Sequence, residues 1–205
     1  DDYIYNGDAD QWIKFGNMLK ARYANHLSKT DQYNPTEILA AIDAGFESNE
    51  DNAEVEYFEE EFNPWANVAI NNENLILGGW ISEQFVEATD GTTFGVEDPR
   101  LPYMIGTTDG SAAESGERST LVPGDFYTSE QSPVLIATYA EQKFIEAEAA
   151  FEIDKTRSYN AYLEGIRAHM RMLGVEQSEI DAYVNSSAVS VGEDNFTIDH
   201  IFKEK

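Results

Sequence analysis

Ile136-Ala-Thr-Tyr-Ala-Glu-Gln-Lys-Phe-Ile-Glu-Ala-Glu-Ala-Ala-Phe151 and Tyr159-Asn-Ala-Tyr-Leu-Glu-Gly-Ile-Arg-Ala-His-Met-Arg-Met-Leu-Gly174 are two apolar runs separated by the polar break Asp154-Lys-Thr-Arg-Ser158. In the first, Ile136, Ala140, Phe144, Ala147 and Phe151 recur in steps of four, four, three and four, which stack on one face of a helix. In the second, Tyr159, Tyr162, Ile166, Met170 and Leu173 step the same way, and Gly174 stands where a helix needs a left-handed terminal residue. The spacing predicts helices over 136–151 and 159–173, joined as an antiparallel hairpin.

Small residues line one side of each helix: Ala137, Ala140, Ala147, Ala149 and Ala150 in the first, Gly165 and Ala168 in the second. The axes can then approach closely while aromatic rings fill the remaining space. Small residues with aromatics in paired helices of about four turns is the tetratricopeptide style of packing, whose exposed apolar face cannot be buried by one pair alone. Further helices must cover it. The expected fold class is therefore all-α, mainly helical, with tetratricopeptide-like hairpins and long irregular loop insertions.

Working outward, Asp8 is a good N-cap and Gln11 occupies the third position of a capping box, predicting a helix over 9–28 that packs on the hairpin. Trp12, Phe15, Leu19, Tyr23 and Leu27 are its expected apolar face. Asn34-Pro35-Thr36-Glu37 starts a second, short helix that carries Ile38, Leu39 and Ile42 and closes at Gly45. Val55-Glu-Tyr-Phe58 reads as a brief strand, and 63–74, with its Asn-Pro and Asn-Asn pairs, as a loop containing Trp65. Helical stepping resumes over 75–88 at Ile76, Trp80, Phe85 and Ala88, and 91–133 is a long irregular insertion.

With 205 residues, 41% hydrophobic and 12% aromatic, the chain can fill a sizeable core and is read as one domain over 1–205. Its 13 basic and 39 acidic residues give a formal charge of −26, which repels nucleic acid and anionic lipid. No apolar run approaches the roughly 20 residues needed to cross a bilayer. Cysteine is absent, so there is no disulfide framework. The start at Asp1-Asp-Tyr3 and the end at Lys205 read as internal points of a longer chain.

Chemical constellations are sparse. Glu146 and Glu148 fall on nearly opposite faces of a helix and read as solvated surface, not as an acid and base pair. His26, His169 and His200 lack ligand spacing. Asp90-Gly-Thr-Thr93 with Glu97-Asp98 has the charge of a calcium loop without the EF-hand ladder, so a surface turn is expected; no cofactor is called for, and calcium is the one candidate ion. There is no phosphate-binding glycine loop, no Gly-x-Ser-x-Gly elbow and no cysteine nucleophile.

Tyr3-Ile-Tyr-Asn-Gly-Asp-Ala-Asp-Gln-Trp-Ile-Lys-Phe-Gly-Asn-Met-Leu-Lys-Ala-Arg22 resembles a helix that recurs in SusD/RagB-type outer-membrane lipoproteins of Bacteroidetes, above all at Asp8, Trp12, Phe15, Asn17, Leu19, Lys20 and Arg22. Four further pieces agree in order: Pro35 to Ile42, Ile81-Ser-Glu-Gln-Phe-Val-Glu-Ala88, Asp98-Pro-Arg-Leu-Pro102, and Tyr139-Ala-Glu141 with Glu146-Ala-Glu-Ala149 and Tyr162-Leu-Glu-Gly-Ile166. The resemblance implies a middle portion of such a protein: a helical, non-enzymatic glycan binder held at the outer membrane, facing outward, by a lipidated N-terminal cysteine. Its partners would be an oligosaccharide or polysaccharide and a SusC-like TonB-dependent transporter.

A sugar presents a face of C–H groups that an exposed ring can cover while polar side chains bind its hydroxyls. Trp65, Tyr103, Phe126 and Tyr127 lie in loop-like sequence and are the candidate carbohydrate contacts, whereas Trp12 and Trp80 step with helices and are expected in the core. Neutral sugars are the expected ligands, anionic ones requiring a counter-charge from Arg100 or Arg118. The alternative is a tetratricopeptide-like protein-interaction scaffold; the long 91–133 insertion favours glycan binding, because such scaffolds keep their repeats contiguous.

Overall fold

A computed structural model describes residues 2–71, 82–105 and 125–205. In chain order it contains α1 (Ala9–Asn25), α2 (Pro35–Asp43), a 3-10 turn (Asn49–Asp51), β1 (Ala53–Val55), α3 (Pro64–Asn71), α4 (Glu83–Thr89), α5 (Leu101–Met104), β2 (Val134–Ala137), α6 (Tyr139–Ala150), α7 (Lys155–Leu173), α8 (Gln177–Val184) and α9 (Ile198–Glu204). The architecture is mainly helical, as expected, with β1 and β2 forming one small sheet. The chain divides into two compact units, residues 1–54 with 135–172 and 189–205, and residues 55–134 with 173–188.

In the first unit the helix starts are set by side-chain caps. Asp8 accepts from the N–H groups of Asp10 and Gln11, Asn34 from that of Glu37, Thr138 from that of Glu141, and Asp154 from that of Arg157. The last two correct the expected boundaries. After Pro133 the aliphatic run Val134–Ala137 is extended, so Ile136 belongs to β2 and is 37% exposed. The polar break Asp154–Ser158 is the cap and opening turn of α7, which therefore begins at Lys155. At Asp8 the capping box is half made, because the Asp8 N–H donates to Tyr5 O at 3.0 Å and not to the Gln11 side chain.

The α6–α7 hairpin is antiparallel. Ser158 Oγ donates to Ala147 O at 2.6 Å, while seven residues further along α7 the Phe144 ring lies over Gly165. A Cβ at Gly165 would stand 3.0 Å from that ring, so this glycine is required by close approach. Ala140, Phe144, Ala147, Tyr162, Ile166 and Met170 are all buried. Gln142 reaches from α6 to the main chain of Phe46, accepting from its N–H and donating to its O, both at 2.8 Å. A side chain at Gly45 would strike this carboxamide, which explains a glycine whose φ is not left-handed.

Helix α1 packs on α2 and α6. Its buried positions are Phe15, Met18, Ala21 and Asn25, not the face that holds Trp12, Tyr23 and Leu27. Trp12 is 40% exposed and donates to Asp2, and Tyr23 is 62% exposed. The buried stripe combines Phe15 and Met18 with the short Ala21 and Asn25, and Phe15 stacks on Phe46. Arg22 holds α1 to α6 through both carboxylate oxygens of Glu141. Glu146 and Glu148 are not solvated: Glu146 binds Lys143 and Arg157, and Glu148 binds Asn25 and Lys205. Phe196 rests against Phe151, Tyr159, Tyr162 and His200, and Lys155 donates to its carbonyl, fixing the segment 189–205 on α7.

In the second unit, Asn63-Pro64 starts a helix, not a loop. The Asn63 side chain accepts from the N–H of Trp65, and proline takes the first helical position of α3. Helix α4 begins at Glu83 behind the Ser82 cap; the earlier part of the expected 75–88 helix, Ile76 and Trp80 included, lies outside the described residues. The insertion 91–133 contains α5 and a turn at 125–129, and its stretch 106–124 also lies outside them. The expected strand at 55–58 forms slightly earlier, at Ala53–Val55.

Phe144→Ala should cost about 3–5 kcal/mol, because a buried ring is lost at a helix crossing; an unchanged thermal midpoint contradicts this packing. Gly165→Ala should destabilise the native chain but become neutral or stabilising beside Phe144→Ala, where the ring is gone and alanine favours the helix by about 1 kcal/mol. Asp51 supplies a pH test. Burial acts to raise its pKa, but the Glu47 N–H and Lys14 prevail and hold it below the ordinary aspartate value. Its stabilisation is then complete above the unfolded value of about 4 and fades as pH falls through the lower folded value. Asp51→Asn should weaken the protein at pH 7, with the gap to the native chain closing in acid.

Candidate functional site

The second unit is organised around Asp98-Pro99-Arg100. Asp98 donates its N–H to Thr89 O at 2.7 Å, which fixes the turn, and its Oδ1 accepts both the backbone N–H and Nε of Arg100 at 2.9 Å. Arg100 Nη2 completes the fork at Oδ2. Both residues are about 95% or more buried, so the pair is a desolvated bidentate bridge at the start of α5. The Arg100 guanidinium also lies 5.9 Å from the ring centre of Tyr183 on α8. Arg100 is thus committed within the fold and is not a counter-charge for an anionic ligand; Arg118 lies outside the described residues.

Next to this bridge lies an open pocket of about 680 Å³. Pro99, Pro102 and Tyr103 border it from α5 and the preceding turn, Tyr183 from α8, and Glu97 and Glu179 supply exposed carboxylates. Prolines and a half-buried tyrosine give flat apolar walls, and carboxylates give hydrogen-bond acceptors. That combination suits a ligand with both C–H faces and hydroxyls.

The structure brings three of the four candidate aromatics together. Phe126 donates its N–H to Tyr103 O at 3.0 Å, and the Phe126 and Tyr127 rings meet edge to face with centres 4.9 Å apart. Burial pushes the Tyr127 phenol above its ordinary pKa, with Arg100 pulling the other way. Tyr103 lies in α5, not in a loop, and is the member that reaches the pocket. Trp65 stands apart in the first turn of α3, 54% exposed, and among the described residues meets none of the other three rings. Its anchor is Asn63, which donates to Ser132 O at 2.7 Å and to Glu130 O at 2.9 Å. Sequence reasoning misses Tyr183, because nothing in Gln177–Val184 marks one helical tyrosine over another; the Asp98–Pro102 segment alone points to this place.

The stretch with calcium-like charge is a turn. Asp90 Oδ1 accepts from the Thr92 N–H, Asp90 bridges to Glu97 through the backbone, and Asp98 is taken by Arg100. Among the described residues no three His, Asp or Glu side chains converge on a metal position.

Known proteins agree with this architecture. The SusD-like family described as "Starch-binding associating with outer membrane" matches residues 1–205, and the chain belongs to that family. A SusD homologue from Bacteroides fragilis is similar over 99% of the chain and 52% of its own length, with 21% identity and a TM-score of 0.79. A SusD/RagB family protein from Bacteroides thetaiotaomicron covers 99% and 50% at 18% identity and TM-score 0.69. A chitin-binding SusD homologue from Flavobacterium johnsoniae covers 90% and 40% at 19% identity and TM-score 0.65. The chain thus spans about half the length, or less, of these solved structures. No curated protein matches the sequence.

Arg100→Ala should destabilise the protein by about 3–5 kcal/mol, since it leaves Asp98 buried and unpaired. Arg100→Lys should recover only part of this in chemical denaturation, because an ammonium cannot reproduce the fork; full recovery contradicts the bidentate account.

Proposed function

We propose that this chain is part of a glycan-capturing protein at the bacterial outer surface that holds an oligosaccharide without chemistry and delivers it to a SusC-like TonB-dependent transporter. The observation that carries the reading is the pocket of about 680 Å³ with Tyr103, Pro99 and Pro102 on its walls and free carboxylates at its edge. That volume falls within the roughly 300–1,000 Å³ of small-ligand sites. Membership of a family described as starch-binding and outer-membrane-associated supports it, as does the likeness to a chitin-binding SusD homologue. Among the described residues no helix is long and apolar enough to cross a membrane; membrane attachment by a lipid anchor is part of this reading through the family resemblance.

In this reading Tyr103 stacks on a sugar face and exposed Trp65 offers a second platform in the same unit. Phe126 and Tyr127 belong to the same contact set, packed behind Tyr103 through the bond from Phe126 to its carbonyl. The two carboxylates accept from hydroxyls. Sugar faces need no proton transfer to be held, and purified protein should release its ligand unchanged.

Calorimetry against a panel of neutral oligosaccharides tests this. Tyr103→Ala should weaken binding by roughly 1–3 kcal/mol and Trp65→Ala should weaken the longer ligands, both with unchanged helical circular dichroism. Full affinity in both variants contradicts the site, and sustained glycan hydrolysis lost on mutating one carboxylate contradicts the non-enzymatic reading.

A further inference from the structure

We infer that the pocket bordered by Tyr103 and Glu179 prefers amino sugars that carry a free, protonated amine over their neutral or acidic counterparts. The inference names the ligand class of the site just described and rests on the glycan-binding reading.

The first observation is where the charge resides. Residues 55–134 and 173–188 contain 18 acidic residues and two basic ones, Arg100 and Arg118, a formal −16 out of the −26 of the whole chain. The remaining residues hold 21 acidic and 11 basic side chains, or −10. The pocket thus lies in the more negative unit, whose field concentrates cations and repels sulfated or uronic-acid sugars.

The second is what borders the pocket. Asp98 is neutralised by Arg100, whose guanidinium is turned into the bridge and toward Tyr183. Glu97 and Glu179 are exposed, and among the described residues neither carboxylate takes part in an ion pair or hydrogen bond. Among the same residues no lysine or arginine borders the pocket. Helix α8 accounts for Glu179 in part, since a carboxylate is favourable in a first turn, whereas among the described residues the Glu97 carboxylate has no partner.

The third is the ring. A tyrosine face attracts a cation as well as a C–H surface, so an ammonium on the ring carbon next to the stacked face gains from Tyr103 while its N–H donors reach a carboxylate. A hydroxyl or N-acetyl group at that position forgoes both gains. The class that satisfies the pocket is therefore a glycan of de-N-acetylated hexosamine, such as glucosamine oligosaccharide.

The test is calorimetry of the full-length protein that contains this chain, with a β-1,4-glucosamine tetramer and its fully N-acetylated counterpart, at low and high salt. The free-amine tetramer should bind about ten-fold more tightly at low salt, and high salt should erase most of that margin. Glu97→Gln with Glu179→Gln should remove the preference, bringing the free-amine tetramer down to the affinity that the same variant shows for the acetylated one. Glu59→Gln with Glu60→Gln, outside the pocket border, should leave the preference intact; if this control abolishes it equally, the preference is a general effect of charge and the inference is overturned. Equal binding of the two tetramers, or a preference that survives in the pocket variant, overturns it while leaving glycan binding in place. Absence of binding by both tetramers and by every neutral glycan of the panel removes the glycan reading and this inference together.

Discussion

The first unit depends on the contact between the Phe144 ring and Gly165. It brings α6 and α7 near enough for Ser158 to reach the Ala147 carbonyl, and that spacing leaves Ala149, Ala150 and Ile145 as a surface of small and medium side chains. Phe15, Met18, Ala21, Ile38 and Ile42 of α1 and α2 complete the same core. Polar fasteners then act at the edges. Gln142 grips the Phe46 main chain, Arg22 grips Glu141, and Arg157 joins Glu146 to Asp43. Buried hydrogen bonds of this kind add little net stability each but penalise any other register, since every alternative leaves a group unpaired.

The second unit is built on a different principle. Beside its small apolar cluster of Val86, Leu101 and Ile105 it buries a charged pair, the Asp98–Arg100 bridge. The bridge orients α5, and α5 carries Pro102 and Tyr103 to the pocket. By absorbing the one basic side chain described in this unit, it also leaves the charged groups at the pocket border acidic. The pair that orients α5 thus also withdraws from the pocket border the one basic side chain described in this unit.

Much of this is legible in sequence and some is not. The stepping of Phe144, Ala147, Tyr162, Ile166 and Met170 identifies the hairpin, because apolar side chains kept at this period over four turns share one face only in a helix. Helix starts are misplaced where a capping side chain goes unrecognised: Asp154 reads as a break, Thr138 as helix interior and Asn63-Pro64 as a loop, and all three are starts. On α1 ring size is only part of the guide: of the expected face Phe15 is buried and Leu19 packs against the core, whereas Trp12 and Tyr23 are exposed and Met18 and Ala21 take the remaining core positions. Of the four rings chosen by type, Tyr103 borders the pocket, Phe126 and Tyr127 pack beside it, and Trp65 stands apart. Tyr183 and Glu179 escape notice and Glu97 is read only as part of a charged turn, because a pocket border drawn from two separated segments leaves no periodic trace. The loss of Arg100 as a ligand contact is equally hidden, since a local Asp-Pro-Arg turn and an outward arginine look the same in one dimension.

The central claim is that ligand is held by the 96–103 and 177–184 segments of the second unit. Hydrogen–deuterium exchange with and without a saturating oligosaccharide measures it most directly. Protection confined to peptides over 96–103 and 177–184, with 139–173 unchanged, is the predicted result; protection centred on the α6–α7 hairpin, or none in the second unit despite demonstrated binding, contradicts the account.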